Sequence, residues 1–296
     1  MKVGFFCSKR ARCIEFAELF RFGVQRCGDE LDIRPVLKAH GDPHEVDGDI
    51  VPDVDIAIIN AILHRKAFQT MYEANIPVVY IDKAYNRDWN WRRTSIGAHQ
   101  PTHYLGFRNK LAGRRVQFGW EPATWRSKGA HVLLAWSDNR DHEWRGWPKP
   151  EEHVKPVIAG LRHFTGRKLY YSAKPNYATG EPVHGLIDVF NLLPGTRVTS
   201  FFTGCHALVT PGTSVCLHAL LAGIPTIVLA DALVRNISST CICQIESPYL
   251  ATHQERIQLL NDLAYCQWHK GEFADGTAWL DIREQLAEGV GINVKS

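Results

Sequence analysis

The run His206–Asp231, HALVTPGTSVCLHALLAGIPTIVLAD, constrains this chain more than any other stretch. Ala207–Val209 reads as the end of a buried strand. Thr210, Pro211, Gly212, Thr213 and Ser214 form a turn whose last two residues are good helix N-caps. Val215–Ala222 is a compact Ala/Leu-rich helix, stopped by Gly223 with Pro225 just beyond. Thr226–Leu229 is a second β-branched run, with Asp231 at its carboxyl end. A strand, a hydroxyl-rich helix start and a return strand predict one βαβ unit.

That turn has a chemistry of its own. Free N–H groups at a helix start, hydroxyls on Thr213 and Ser214, and no side chain at Gly212 make an anion site suited to phosphate. The same residues also serve as the cap of an ordinary helix.

The remaining sequence repeats the strand–helix alternation. Val3–Phe6 reads as a strand and residues 10–26 as a helix, with Ile14, Ala17, Phe20 and Phe22 on its apolar face and Gly28 at its end. Leu31–Leu37 and Val54–Asn60 read as strands, the second apolar enough to be buried on both faces. A helix from Arg65 to Ala74 leads to a strand ending in Asp82. Then periodicity is lost from Lys83 to Ser127, too long a stretch for an ordinary connector. A second pattern opens at Val132–Trp136, followed by a polar turn at Ser137–Arg140, a helix over 151–164 and a strand over 168–173. Beyond Asp231, helices are predicted over 253–267 and 277–287. With 296 residues the chain has room for two domains. The expected division is 1–128, 129–276, and a terminal helical segment 277–296 that packs back on the first domain.

Composition narrows the function classes. With 45% hydrophobic and 22% charged residues the chain is globular rather than disordered. MKVGFFCSKR lacks a signal-peptide layout, and no apolar run reaches the roughly 20 residues of a membrane span. Eight cysteines include no CxxC pair, and the closest spacing is Cys241-Ile-Cys243. They read as thiols in a reducing, cytoplasmic compartment. Fourteen histidines form no H-E-x-x-H or similar cluster, so no metal site is expected. Charge is unevenly placed: from Lys83 to Lys128 ten basic residues face two acidic ones, a local +8 within a chain of +3. Eight aromatic residues share that segment, Trp89 and Trp91 among them. Cations neutralise phosphates and flat rings stack on bases, so the segment reads as a polyanion-binding face or as a solvated cover for the sheet.

The pattern Thr210, Thr213, Ser214, Ala219, Leu220, Gly223, Pro225 resembles the donor-binding segment of GT-B glycosyltransferases. The acidic residue common before Ala-Leu in that family is His218 here, which stands at the nucleotide-contacting position. The likeness implies two Rossmann-like domains, a nucleotide-sugar donor on the C-terminal one, an acceptor on the N-terminal one, and an active site in the cleft. LAYCQWHKGEFADGTAWLDI also resembles the closing segment of phage-encoded glycosyltransferase-like proteins.

The resemblance and the residue chemistry together assign expected roles. Gly212, Thr213 and Ser214, with Lys174 and Arg140, would hold the donor diphosphate, a UDP-sugar being the first choice; such cations replace a divalent ion, so no obligatory metal is expected. Asp82, Asp88 and His64 are candidate bases for the acceptor hydroxyl, each with an ordinary alternative as cap, ion pair or loop residue. Arg87, Trp89, Trp91, Arg92 and Arg93 would bind the acceptor. Two classes of function fit. One is a glycosyltransferase acting on a hydroxymethylpyrimidine in phage DNA, flipped out of the duplex, or alternatively on a glycan. The other is a noncatalytic nucleic-acid-binding protein on a degenerate transferase fold.

Overall fold

The computed structural model describes residues 1–37, 50–60, 65–86, 88–101, 108–126, 128–173, 189–191 and 197–289. In chain order the elements begin with β1 (Lys2–Ser8), α1 (Ala11–Arg26), β2 (Glu30–Leu37), β3 (Ile56–Asn60) and α2 (Arg65–Glu73). Next come β4 (Val78–Lys83), β5 (Trp91–Ile96), α3 (Gly113–Gln117), β6 (His131–Trp136), α4 (Asn139–Arg145) and α5 (Pro150–Leu161). They are followed by β7 (Lys168–Ala173), β8 (Val189–Asn191), β9 (Cys205–Thr210), α6 (Val215–Leu221), β10 (Thr226–Val228) and α7 (His253–Ala264). The last three are β11 (Gln267–His269), α8 (Lys270–Asp275) and α9 (Thr277–Ala287). Two units result: Met1–Tyr104 with Leu263–Ser296, and Leu105–Asp262. These bounds differ from the sequence-based ones at 128 and 276. The basic segment is split between the units, and β11, α8 and α9 all belong to the first.

Unit 1 is a sheet in the order β11-β5-β4-β3-β1-β2. Strands β2, β1, β3 and β4 run parallel, and β5 and β11 are antiparallel additions. Val3, Phe5 and Cys7 of β1 pack on one face with α1, Phe273 of α8 and Trp279 of α9, while Phe6 joins Ile59, Met71 and Tyr80 on the other. Burial on both faces explains why β1 and β3 read as unbroken apolar runs. The buried side of α1 is Cys13, Phe16, Ala17, Phe20, Gly23 and Val24, a three–four spacing. Phe22 was expected on that side but is 62% exposed, because two positions along a helix turn the side chain away from Phe20. Phe20 instead meets Phe273 edge-on at 4.9 Å and Trp279 at 5.9 Å. Each such ring contributes roughly 1.5–3 kcal/mol by burial.

The region after Asp82 is not without structure, as its lost periodicity suggested. It contains β5, whose two arginines and polar residues hide a strand buried along most of its length. Cys241 and Cys243, expected as thiols, are joined by a disulfide across a Cα–Cα distance of 5.2 Å. Cys241 is the N-cap of the 3-10 turn Ile242–Gln244, and Cys243 lies within it. Cys7, Cys13, Cys27, Cys205, Cys216 and Cys266 are free. Among the described residues no helix is long and apolar enough to cross a membrane.

Asp29, after α1, locks α9 in place. It accepts hydrogen bonds from the Trp279 indole at 2.8 Å and Arg283 at 3.0 Å, and from the terminal amine at 2.8 Å. Burial pushes its carboxyl upward, but these donors outweigh that and hold it below the usual carboxylate value. A carboxyl lowered in the fold stabilises above its unfolded pKa, about 3.9, and surrenders that stability as pH falls through its folded value. Asp29→Asn should therefore lower the urea midpoint at neutral pH and flatten its decline below about pH 4. Parallel wild-type and variant midpoints across that acid range would show that the carboxylate contributes nothing there.

Candidate functional site

Unit 2 has the sheet order β10-β9-β6-β7-β8, all parallel. The chain runs outward from β6 through β7 to β8, then returns to β9 on the other side of β6. The reversal lies between β6 and β9, and their carboxyl ends are where an open α/β sheet forms its ligand crevice. Two short segments meet there, Ser137–Asn139 after β6 and Pro211–Ser214 after β9.

After β6, Ser137 is 7% exposed and its Oγ is buried without a hydrogen-bond partner. Asn139 Oδ1 shares that condition. Asp138 caps α4, accepting the Asp141 N–H at 3.1 Å. One turn on, Arg145 Nε donates to both carboxylate oxygens of Asp141 at 3.3 Å. The Arg145 guanidinium lies 4.7 Å from the Trp147 ring, and its Nη2 is 3.5 Å from where a Cβ on Gly212 would stand. Burial holds His142, on the same helix, and its neighbour His153 below the ordinary imidazole pKa. The positive charge at this end of α4 is thus carried by arginine rather than histidine.

After β9 the backbone is organised by one hydroxyl. Thr210 Oγ1 accepts the N–H groups of Gly212 at 3.2 Å and Thr213 at 3.1 Å, and lies 3.1 Å from Thr213 Oγ1. This corrects the expectation that those two N–H groups are free for a ligand. The turn is fixed internally, with the half-buried Thr213 hydroxyl against Thr210 and the Ser214 side chain exposed. Ser214 occupies the N-cap position of α6 but makes no side-chain capping bond, and it is exposed. His218 is half-buried one turn further along α6. Gly212 is required by close approach, since an added Cβ would sit 2.4 Å from the Asp231 carbonyl oxygen. Cys216, behind the turn, has its thiol pushed up to about 12 by burial, which makes it a packing residue rather than a nucleophile.

Two expected donor cations lie outside this description. Lys174 is outside the described residues, and so is the side chain of Arg140, whose backbone is in α4.

In unit 1, Asp82 is the penultimate residue of β4, with its carboxylate 3.2 Å from Arg93 Nη2 and 3.5 Å from the Tyr80 hydroxyl. Its ion-pair partner is therefore Arg93, not the adjacent Lys83. Arg93 is 4% exposed and also donates to Tyr85 Oη at 3.0 Å and the His99 carbonyl at 2.6 Å. An arginine bound on so many sides is not a surface cation, and its expected acceptor contact is withdrawn. Trp91 is buried too, meeting His269 edge-on at 5.5 Å, so the same correction applies. Trp89 is 56% exposed, and Arg92 is half-buried with its guanidinium 5.2 Å from the Phe16 ring. Asp88 is exposed in the β4–β5 connection, where it accepts the Asn90 N–H at 2.8 Å. His64 and Arg87 lie outside the described residues.

No protein-family model matches the sequence, and no curated protein matches it. Solved structures do. The Thermosulfurimonas dismutans KpsC β-Kdo 2,4 transferase superposes with a TM-score of 0.52 at 12% identity, over 88% of this chain and 89% of its own. The β-Kdo 2,7 transferase of the same KpsC gives 0.52 at 10% identity, over 95% and 100%. The fold is that of the GT-B glycosyltransferases. A UDP-GlcNAc 2-epimerase from Neisseria meningitidis, bound to UDP-GlcNAc, is also similar at 12% identity over 97% and 100%, with a TM-score of 0.32 that bears on neither site nor ligand.

At the β6–β9 edge, Asp141 and Arg145 carry no role in the sequence-based assignment, and Ser137 enters it only as part of a polar turn. Arg145 could have been found from the helix start: with Asp138 as cap, positions 141 and 145 fall on one face, four apart.

Proposed function

We propose that the chain is a nucleotide-sugar-dependent glycosyltransferase that binds its donor diphosphate at the crevice of unit 2. The observation that carries this is the buried, unpartnered Ser137 Oγ at the same sheet edge as the Thr213 and Ser214 hydroxyls and the Arg145 guanidinium. A buried hydroxyl without a partner costs about 1–3 kcal/mol, which a ligand oxygen would recover. Transfer breaks the bond between the anomeric carbon and the diphosphate oxygen and forms one to an acceptor hydroxyl oxygen. Arg145 and the three hydroxyls would stabilise the charge that develops on the leaving diphosphate. The acceptor proton would pass to a carboxylate, for which Asp82, oriented by Arg93, is the proposed base. His218 would contact the nucleotide, and Lys174 and Arg140 remain proposed partners of the phosphates. A UDP-sugar is the first donor to test. Kdo is the second sugar to include, because the two superposed KpsC domains are named for transferring it.

The acceptor in this reading is a glycan. A DNA acceptor drew its support from the basic and aromatic segment, but Trp91 and Arg93 are buried in unit 1, and Arg115 and Trp120 in unit 2. With these four inside, the described part of the segment is not one continuous basic and aromatic face.

The test is calorimetric titration of nucleoside diphosphates and nucleotide sugars, followed by mass spectrometry of transfer to glycans and to hydroxymethylpyrimidine DNA. Ser137→Ala with Ser214→Ala should weaken diphosphate binding by about 10- to 100-fold while leaving the melting curve in place. Equal affinity in the double variant would remove the crevice from consideration. A mass gain on DNA alone would restore the DNA acceptor.

A further inference from the structure

The surface around Trp89 gathers like charges from three elements. Arg12 lies in the first turn of α1, Lys83 ends β4, and Arg92 pairs opposite Lys83 in β5. The Lys83 ammonium is 4.5 Å from the centre of the Trp89 ring and the Arg12 guanidinium 5.9 Å. Arg92 rests over Phe16; burial holds its guanidinium below the ordinary arginine value, Asp82 opposes that, and the charge of Arg12 adds to it. Lys9 and Arg10, both exposed, lead into α1, whose first turn contains no acidic residue.

The neighbouring acids offset the group only in part, Asp82 favouring the charge on Arg92. Asp82 is taken by Arg93, Asp88 holds the Asn90 N–H, and Glu15 lies one turn along α1. Among the described residues no carboxylate is within ion-pair distance of Arg12, Lys83 or Arg92. Cations collected in excess of their counter-charges around a tryptophan that is half open to water disfavour the bare protein. Binding an anion removes that repulsion.

We propose that this face binds an acidic oligosaccharide as the acceptor, with a sugar ring against Trp89 and its carboxylate or phosphate between Arg12, Lys83 and Arg92. The assignment rests on the transferase reading above and adds the charge of the acceptor to it. A sugar's C–H face packs on indole without directional demands, while the anionic substituent selects the ring to be bound. The patch has one exposed tryptophan and a tight set of cations, which fits one or two charged sugars. Among the described residues it lacks the row of stacking rings that single-stranded nucleic acid uses.

The experiment is titration calorimetry on the full chain with tetragalacturonate, a phosphorylated maltotetraose, neutral maltotetraose and a short single-stranded DNA. The two acidic oligosaccharides should bind with an affinity that falls as salt rises, and the neutral one should not bind. Comparing the acidic pair tells carboxylate from phosphate. Arg12→Gln with Lys83→Gln should weaken acidic binding by about tenfold, and Trp89→Ala should weaken it separately, with diphosphate affinity at unit 2 unchanged. Diphosphate binding without acidic-oligosaccharide binding would overturn this proposal and leave the transferase reading intact. Oligosaccharide binding without any nucleotide binding would support the anionic site and sink the acceptor role. Tighter binding of DNA than of either acidic sugar, at equal salt, would also overturn it.

Discussion

Gly23→Ala should destabilise the chain by about 3 kcal/mol and lower its melting temperature by about 10 °C. An alanine in the middle of an exposed helix would do the reverse, since glycine there costs about 1 kcal/mol. The sign depends on what Gly23 faces. A Cβ at this position would stand 1.9 Å from the Phe273 carbonyl oxygen and 2.9 Å from the Gly276 nitrogen. Both are backbone atoms, so no side chain can swing aside to accept it. Gly276 answers from the other side: it joins α8 to α9 with φ +95°, and its own Cβ would come within 2.8 Å of Cys27 Sγ. The two glycines let α1 and the α8–α9 junction touch backbone to backbone, which brings Phe273 and Trp279 onto Phe20. Making room would separate those rings and open a gap that the core cannot refill cheaply. Thermal melts of Gly23→Ala and of a control such as Phe22→Ala, on the exposed side of the same helix, decide the matter. An unchanged or raised melting temperature for Gly23→Ala would falsify this close approach.

That glycine also shows where sequence reading stops. The bounds of α1, α6 and α9 were legible within about one residue, because each has apolar spacing of helical period and a recognisable stop. The opening βαβ unit was legible for the same reason. Gly23 was not, because its significance comes from a segment some 250 residues away. The same holds for β11, three residues long, which exists only as the antiparallel partner of β5. Arg93 is the sharper case. As a letter it adds to a basic run, and burial of its charge becomes tolerable only through Asp82, Tyr85 and His99, which the fold assembles around it. After β9 the hydroxyl-rich turn was legible as a pattern, whereas the use of its N–H groups by Thr210 was not. That bond closes a local alternative to ligand binding, and the letters permit both.

Gly212→Ala is expected to cost the proposed reaction about 100-fold in kcat/KM and to lower stability as well, because the methyl meets backbone. The added methyl would meet the Asp231 carbonyl oxygen at 2.4 Å, so the turn after β9 must move outward. Movement strains the bonds from Gly212 and Thr213 to Thr210 Oγ1, and carries the Thr213 and Ser214 hydroxyls away from Ser137. It also displaces the turn from Arg145, whose Nη2 lies 3.5 Å from the same position. Arg145→Gln separates the two contributions. It removes the charge but keeps a planar donor, and loss of a charge-assisted hydrogen bond should reduce diphosphate affinity by about 10- to 100-fold. Because Arg145 also holds Asp141, Asp141→Asn in the Arg145→Gln background keeps that carboxylate from being left unpaired. If the crevice holds the leaving group, Gly212→Ala and Arg145→Gln should each weaken nucleoside diphosphate binding, and the pair should lose less than the product of the two, since both act on one oxygen cluster. Wild-type affinity in both variants, with intact melting curves, would move the donor away from the β6–β9 edge altogether.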